Sequence, residues 1–224
     1  MKITFISDTH NKHNHLTSKA YNNILGSGDV LVHAGDITSM GKTHEIKNFL
    51  DWFSNTEFTH KIFIAGNHDW GFELHDDIAP EYKDKGVHYL FDNHVTIDGV
   101  KFYGSPWQPE FCNWAFNLPR GEKLAEKWVK IPMDTDILIT HGPAAGMLDY
   151  TISGQQVGCQ DLFYKIMEVQ PKIHVCGHIH WAYGQKNFNG VEFLNASTLN
   201  ERYEYENPPI VLDFDVETKQ IDYV

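Results

Sequence analysis

The 224 residues, 42% hydrophobic and 21% charged, suffice for one core without cross-links and lie outside the disordered and fibrous classes. Eighteen basic against 30 acidic side chains give a net charge of −12, with arginine only at positions 120 and 202, so long nucleic acid is not an expected partner. Three scattered cysteines, Cys112, Cys159 and Cys176, suggest neither a disulfide framework nor a thiolate zinc site, and a reducing cytoplasm fits them best.

The chain opens on MKITFISDTH, too short an apolar stretch for a signal peptide, and no uninterrupted apolar run is long enough for a membrane span. Lys2 to Ser7 reads as a strand, followed by a helix from about Leu16 to Leu25 with Leu16, Ala20 and Ile24 on one face. Asp29 to Ala34 is a second strand. Lys42 to Asn55 then places Ile46, Phe49, Leu50 and Phe53 at helical spacing, and Lys61 to Ala65 is a third strand. This β-α-β-α-β order predicts parallel strands with helices on their faces. From Val87 the pattern changes: Val87 to Phe91, His94 to Asp98 and Val100 to Gly104 are short runs separated by Asp-Asn and Asp-Gly turns, which predicts antiparallel hairpins. Further strands fall at Asp136 to Thr140, Lys172 to Cys176, Val191 to Asn195 and Pro209 to Phe214, with helices at Glu122 to Lys130 and Gln160 to Val169. The expectation is a single α/β domain over residues 1–224, two mixed β-sheets packed as a sandwich and flanked by helices. The long segments Trp107 to Pro119 and Gly142 to Gly158 read as walls of a site rather than linkers.

Fourteen histidines are present, and several sit where strand-like runs end. The ends read Asp8-Thr9-His10, Gly35-Asp36, Gly66-Asn67-His68-Asp69, Thr140-His141-Gly142 and Gly177-His178-Ile179-His180. In an extended segment residues i and i+2 point the same way, so Asp8 with His10, and His178 with His180, would each present two groups together. Parallel strands bring their carboxyl ends to one rim, where open α/β sheets bind ligands. Imidazole, carboxylate and one amide oxygen without thiolate suit Mn, Fe, Zn, Co or Ni better than Ca. Seven such groups exceed the needs of one ion. Two ions about 3.5–4 Å apart, sharing a carboxylate, would use them and form a clamp for in-line displacement at phosphorus.

The ordered set D-x-H, G-D, G-N-H-D, H-G and G-H-x-H, from Asp8 to His180, resembles the calcineurin-like metallophosphoesterase superfamily, whose fold is a four-layer α/β/β/α sandwich. The resemblance implies that Asp8, His10 and His180 hold a first metal, that Asp36 bridges, and that Asn67, His141 and His178 complete a second. His68 would then protonate the leaving group or steady the phosphate. Two divalent ions against two carboxylates leave a local positive charge even with a bridging hydroxide, so an acidic protein can still hold a phosphate diester. Gly35-Asp36 runs into Ile37-Thr38-Ser39 rather than the Asp-Arg-Gly continuation of the Ser/Thr protein phosphatase branch, which disfavours that branch. The stretches from Gly28 to Asp36, Ser105 to Pro109, Trp114 to Asn117 and Phe193 to Thr198 are similar to the small cyclic-nucleotide-phosphodiesterase-like group. That similarity implies a phosphodiesterase working through a metal-bridging hydroxide, with manganese as the first choice of metal and a small phosphodiester, such as a 2′,3′- or 3′,5′-cyclic nucleotide, as substrate. Phosphomonoesterase, nuclease or a non-catalytic binding module of the same fold are the alternatives, and a homo-oligomer is open.

The remaining candidates have plainer readings. Asp69 either orients its neighbours or caps the next helix, and the cap is preferred. His33 and His174, among apolar residues, read as structural or as supports behind the ligand residues, not as ligands, while His13, His15, His44, His60, His75, His88 and His94 read as solvated. Trp107, Phe111, Trp114 and Trp181 are either nucleobase-stacking faces or loop anchors, with anchoring preferred for each. Cys176 reads as a small buried hydrophobe.

Overall fold

A computed structural model of the chain describes residues 1–73 and 77–223. The first half runs β1 (Lys2–Ile6), β2 (Gly28–His33), α1 (Thr43–Ser54), β3 (Phe58–Phe63), α2 (Trp70–Glu73), α3 (Pro80–Lys83) and β4 (Val87–Tyr89). It continues through β5 (Asn93–Ile97), β6 (Val100–Ser105), β7 (Gln108–Pro109), β8 (Asn117–Leu118), α4 (Glu122–Trp128), β9 (Ile137–Thr140) and α5 (Gln160–Val169). The last strands are β10 (Ile173–Cys176), β11 (Gly184–Phe188), β12 (Val191–Asn195), β13 (Ile210–Phe214) and β14 (Ile221–Tyr223). No helix among the described residues is long and apolar enough to cross a membrane.

Two six-stranded sheets result, ordered β14-β13-β1-β2-β3-β4 and β11-β12-β10-β9-β6-β5. In the first, β1 to β4 are mutually parallel; in the second, β6, β9, β10 and β12 are parallel, and the edge strands β5 and β11 are antiparallel. The period of two along each strand divides the apolar residues between layers. Val30 and Val32 face inward with Ile3, Phe5 and Ile62, meeting Phe102, Ile137, Ile139, Val175 and Leu194 of the other sheet. Leu31 and Phe63 face outward beneath Phe49, Leu50 and Phe53 of α1. Glu45 sets the start of that helix by accepting from the backbone N–H groups of Met40 and Lys42 (3.2 and 2.9 Å). Leu124 and Trp128 of α4 and Leu162 and Ile166 of α5 cover the second sheet over Leu138 and Phe193. At about 1.5–3 kcal/mol for each fully buried large apolar side chain, these layers supply the main stabilisation.

The expected sandwich and most of its elements are present, with three differences. The segment Leu16 to Leu25 forms no α-helix. One 3-10 turn, His13–His15, ends where the segment begins, and the segment itself holds a single 3-10 turn, Lys19–Tyr21, followed by Asn22 and Asn23 in left-handed backbone conformation (φ 61° and 48°). Leu16 and Leu25 are buried while Ile24 is 41% exposed, so no common apolar face exists. The run at Val87 joins β3 in parallel at the edge of the first sheet, whereas β5 and β6 do form the expected hairpin. Strand β11 has an almost wholly exposed side-chain pattern and strand β14 a similar one, which leaves neither with the alternation by which a strand is read.

Candidate metal centre

All five motif-bearing strand ends converge at the carboxyl edges of β1, β2, β3, β9 and β10. The two sheets are joined there directly: Ser7, following β1, bridges to Ser197, following β12, and the Thr198 N–H donates to the Ser7 carbonyl (3.0 Å). Asp8, His10 and His180 form one group of close ligand atoms, and Asp36, His141 and His178 another; His10 and Asp36 also gather with His68. Asp36 therefore stands between the groups, its Oδ2 3.7 Å from His10 Nε2 and 3.3 Å from His141 Nε2. Asn67 Oδ1 lies 3.0 Å from His141 Nε2, and His180 Nε2 lies 3.4 Å from Asp8 Oδ1. All eight residues singled out in the sequence are thus brought together.

The local route differs from the expected extended segments. Asp8, His10, Asp36 and His178 all have positive φ (55°, 39°, 54° and 68°), a strained region for residues with a Cβ. The backbone turns sharply after each strand, and His178 and His180 consequently serve different groups instead of presenting together. Two glycines make the packing feasible. A Cβ on Gly177 would collide with Asp8 Oδ2 and Ser7 Oγ, and one on Gly66 with the Asp36 backbone and carboxylate.

The surrounding hydrogen bonds fix the ring orientations. His141 Nδ1 donates to the Ala34 carbonyl and His180 Nδ1 to the Asn200 carbonyl (2.9 Å each), which turns both Nε2 atoms toward the carboxylates. Asp8 accepts from the His178 N–H and, at 2.8 Å, from Ser197 Oγ; Asp36 Oδ1 accepts from the His68 N–H (2.8 Å). Burial raises the Asp8 carboxyl, but the histidines around it, His180 first and then His141 and His10, together hold it well below the usual carboxylate range. Asp36 is likewise opposed by burial and lowered by His141. Burial also works against charge on His141 and His180, yet Asp36 and Asp8 respectively raise them to about 9. The carboxylates that favour charge on these two imidazoles would favour a bound cation in the same place. The donor set fits two divalent ions. Both ring nitrogens of His10 are buried without a hydrogen-bond partner, an expense that a metal bond at one of them would lessen, and Asp36 faces both groups at once.

Around this centre several readings change. His13 is fully buried, its Nε2 2.8 Å from Asn48 Oδ1, rather than solvated; His15, His60 and His88 are half-buried, His44 and His94 are exposed, and His75 lies outside the described residues. The Asp69 carboxylate does not cap the following helix: it accepts from the N–H groups of Gly66, Ile37 and Thr38 and from Thr38 Oγ1, tying two ligand loops together. His33 and His174 are buried and structural as expected. Each meets a threonine in a ligand loop, His33 Nε2 at 2.9 Å from Thr9 Oγ1 and His174 Nε2 at 2.8 Å from Thr140 Oγ1. Cys176 is buried. Trp107 is a loop anchor, donating to Asp92 and carrying Lys127 over its ring. Phe111 and Trp181 are exposed, and Trp114 lies against His68. Sequence reasoning gave no role to Ser197, or to Tyr203, whose ring packs edge-on to His10 and His180. A serine among small residues and a tyrosine in a polar loop carry no distinguishing pattern. A cavity of about 430 Å³ opens beside His178 and His180, walled by Pro109, Phe111, Gly142, Pro143, Ile152 and Val157, so both long segments do line the site.

The model of the calcineurin-like phosphoesterase superfamily domain matches residues 1–219. Metallophosphoesterase domain-containing protein 1 of Homo sapiens is 40% identical over 236 residues, covering 95% of this chain and 70% of that protein. UPF0046 protein K07C11.7 of Caenorhabditis elegans is 37% identical over 225 residues, covering 94% and 74%. Among solved structures, TT1561 of Thermus thermophilus superposes with a TM-score of 0.62 at 12% identity, covering 99% of this chain and 96% of that one, a likeness of fold.

Proposed function

The chain belongs to the calcineurin-like phosphoesterase superfamily, and we propose that within it the protein is a phosphodiesterase of small phosphodiesters, cyclic nucleotides among them. The observation that supports a metal-dependent hydrolase most directly is the buried Asp36 carboxylate facing two histidine groups drawn from both sheets. Asp8, His10, Asp36 and His180 would hold one ion and Asp36, Asn67, His141 and His178 the other. Bound there, two divalent ions acidify water to a nucleophile near neutral pH and neutralise charge on the phosphoryl oxygens.

The chain's own residues supply the remainder. His68 Nδ1 lies 2.9 Å from the Ser39 carbonyl, which can only accept, so that nitrogen carries a proton, and in the imidazolium form Nε2 holds the second proton, the one available to the departing ester oxygen. The cavity beside His178 and His180 accommodates the second ester arm: Phe111, Tyr203 and Ile152 offer flat and apolar contact to a planar arm such as a nucleobase, and Glu110, Arg120, Gln155 and Glu201 offer polar contacts to its edge. This space favours a diester over a monoester.

Metal-stripped protein should cleave neither bis-p-nitrophenyl phosphate nor p-nitrophenyl phosphate. Manganese should restore activity, with the diester faster, and His68→Ala should retain metal while losing about 100-fold or more on poor leaving groups. Folded, metal-loaded protein that hydrolyses neither compound would overturn the reading.

A further inference from the structure

The His68 ring is constrained at several points. Its backbone N–H donates to Asp36 Oδ1, its Nδ1 donates to the Ser39 carbonyl, and its edge meets the His10 ring at 4.6 Å with an interplanar angle of 85°. A hydrogen bond at one ring nitrogen fixes a direction, but the ring can still rock about it. The plane of the ring is set by Trp114, whose indole lies over it with centroids 4.2 Å apart and planes 30° from parallel.

Trp114 comes from the connection between β7 and β8, far from His68 in sequence, and that connection is firmly seated. The Ala115 N–H donates to the Asn67 carbonyl (3.2 Å) and the Phe116 N–H to Glu73 Oε1 (3.1 Å). Ala115 and Phe116 are completely buried in the cluster beneath α1, so lifting the loop would expose apolar surface. The loop is thereby tied to the same segment that carries Asn67 and His68.

From this geometry we infer that Trp114 is the positioning residue for His68, holding the imidazole plane so that Nε2 faces the leaving oxygen; the inference rests on His68 acting as the proton donor. In the step concerned a water-derived oxygen bonds to phosphorus, and the P–O bond to the departing arm breaks with its electron pair on oxygen. The Nε2 proton of the imidazolium passes to that oxygen, leaving the ring neutral with its Nδ1 proton still on the Ser39 carbonyl, and Nε2 regains a proton from water before the next turnover. A rocking ring costs most when the leaving oxygen is a poor anion, and little when it departs as p-nitrophenolate.

The test uses metal-loaded protein and a series of diaryl phosphates from bis-p-nitrophenyl to unsubstituted diphenyl. Trp114→Ala should lower kcat on diphenyl phosphate roughly 10- to 100-fold and on the bis-p-nitrophenyl ester less than about threefold, with bound metal unchanged. Trp114→Phe, which keeps a flat face, should recover most of the loss, and Trp114→Ala in a His68→Ala background should add nothing. An equal loss across the series would mark a merely structural role and overturn the inference. A second readout needs no turnover: in metal-free protein the indole should displace the His68 ring-proton resonances upfield, and Trp114→Ala should return them. If the wild type cleaves no diester, the functional reading fails by itself, and a His68 resonance unmoved by Trp114→Ala overturns the placement independently.

Discussion

Asp69 shows how far a single side chain can depart from its local pattern. An aspartate before a short helix reads as a cap, yet here four donors from two loops meet one fully buried carboxylate. Burial and the nearby Asp36 raise its pKa to about 6, the four donors pull the other way, and the carboxylate joins the Asp36 loop to the Asn67 loop. Asp69→Asn would turn an N–H donor toward other donors, and should cost about 2–4 kcal/mol in urea unfolding and weaken manganese binding. A loss below about 1 kcal/mol would show that the loops hold without it. His13 is the converse case. It was legible only as one polar residue near a motif, because its burial depends on Asn48, Phe49 and Trp52 of α1 closing over it.

At the level of elements, the two sheets repeat one device. His33 of β2 accepts from the Gly35 N–H at Nδ1 (3.3 Å), so its Nε2 carries the proton and donates to Thr9, between Asp8 and His10. In the other sheet the Thr140 hydroxyl donates to the Gly142 carbonyl (2.8 Å), so His174 Nε2 donates to Thr140, next to His141. Both imidazoles are buried neutral, and burial lowers their pKa to about 3 against an ordinary 6.5. The unfolded chain therefore takes up these protons first as pH falls. Stability from each group is intact above about pH 6.5 and declines by about 1.4 kcal/mol per pH unit toward the folded value. His174→Gln should flatten the acid side of the stability curve by about that slope, measured by urea unfolding between pH 4 and 6; parallel curves for variant and wild type would refute the assignment. Periodicity found the helices at α1 and α5 because their apolar faces pack on sheets, and failed at Leu16 to Leu25, where left-handed Asn22 and Asn23 end the one short turn.

For the molecule as a whole, the centre joins the two sheets. Asp8, His10, Asp36 and Asn67 follow strands of the first, and His141, His178 and His180 follow strands of the second. Ions bound between them stabilise only the folded arrangement. At 100 times its dissociation constant each ion adds about 2.7 kcal/mol. For a chain of this size that is roughly 5–10 °C in Tm. Thermal unfolding with chelator and then with rising manganese should show this dependence, and a midpoint indifferent to metal would argue against the centre bridging the sheets.

The sequence by itself determined the chemistry of the centre and the class of fold. Ligand types at successive strand ends, with glycine beside them, constrain local backbone and side-chain chemistry that no distant contact can replace. It also carried the alternation that sorts apolar residues between layers. Only the tertiary structure decided which ligands share a group, why Asp69 and His13 are buried, and that Trp114 lies on His68. Those relations depend on which segments meet across the two sheets, and a side chain's neighbours at such a meeting leave no period in its own stretch of chain.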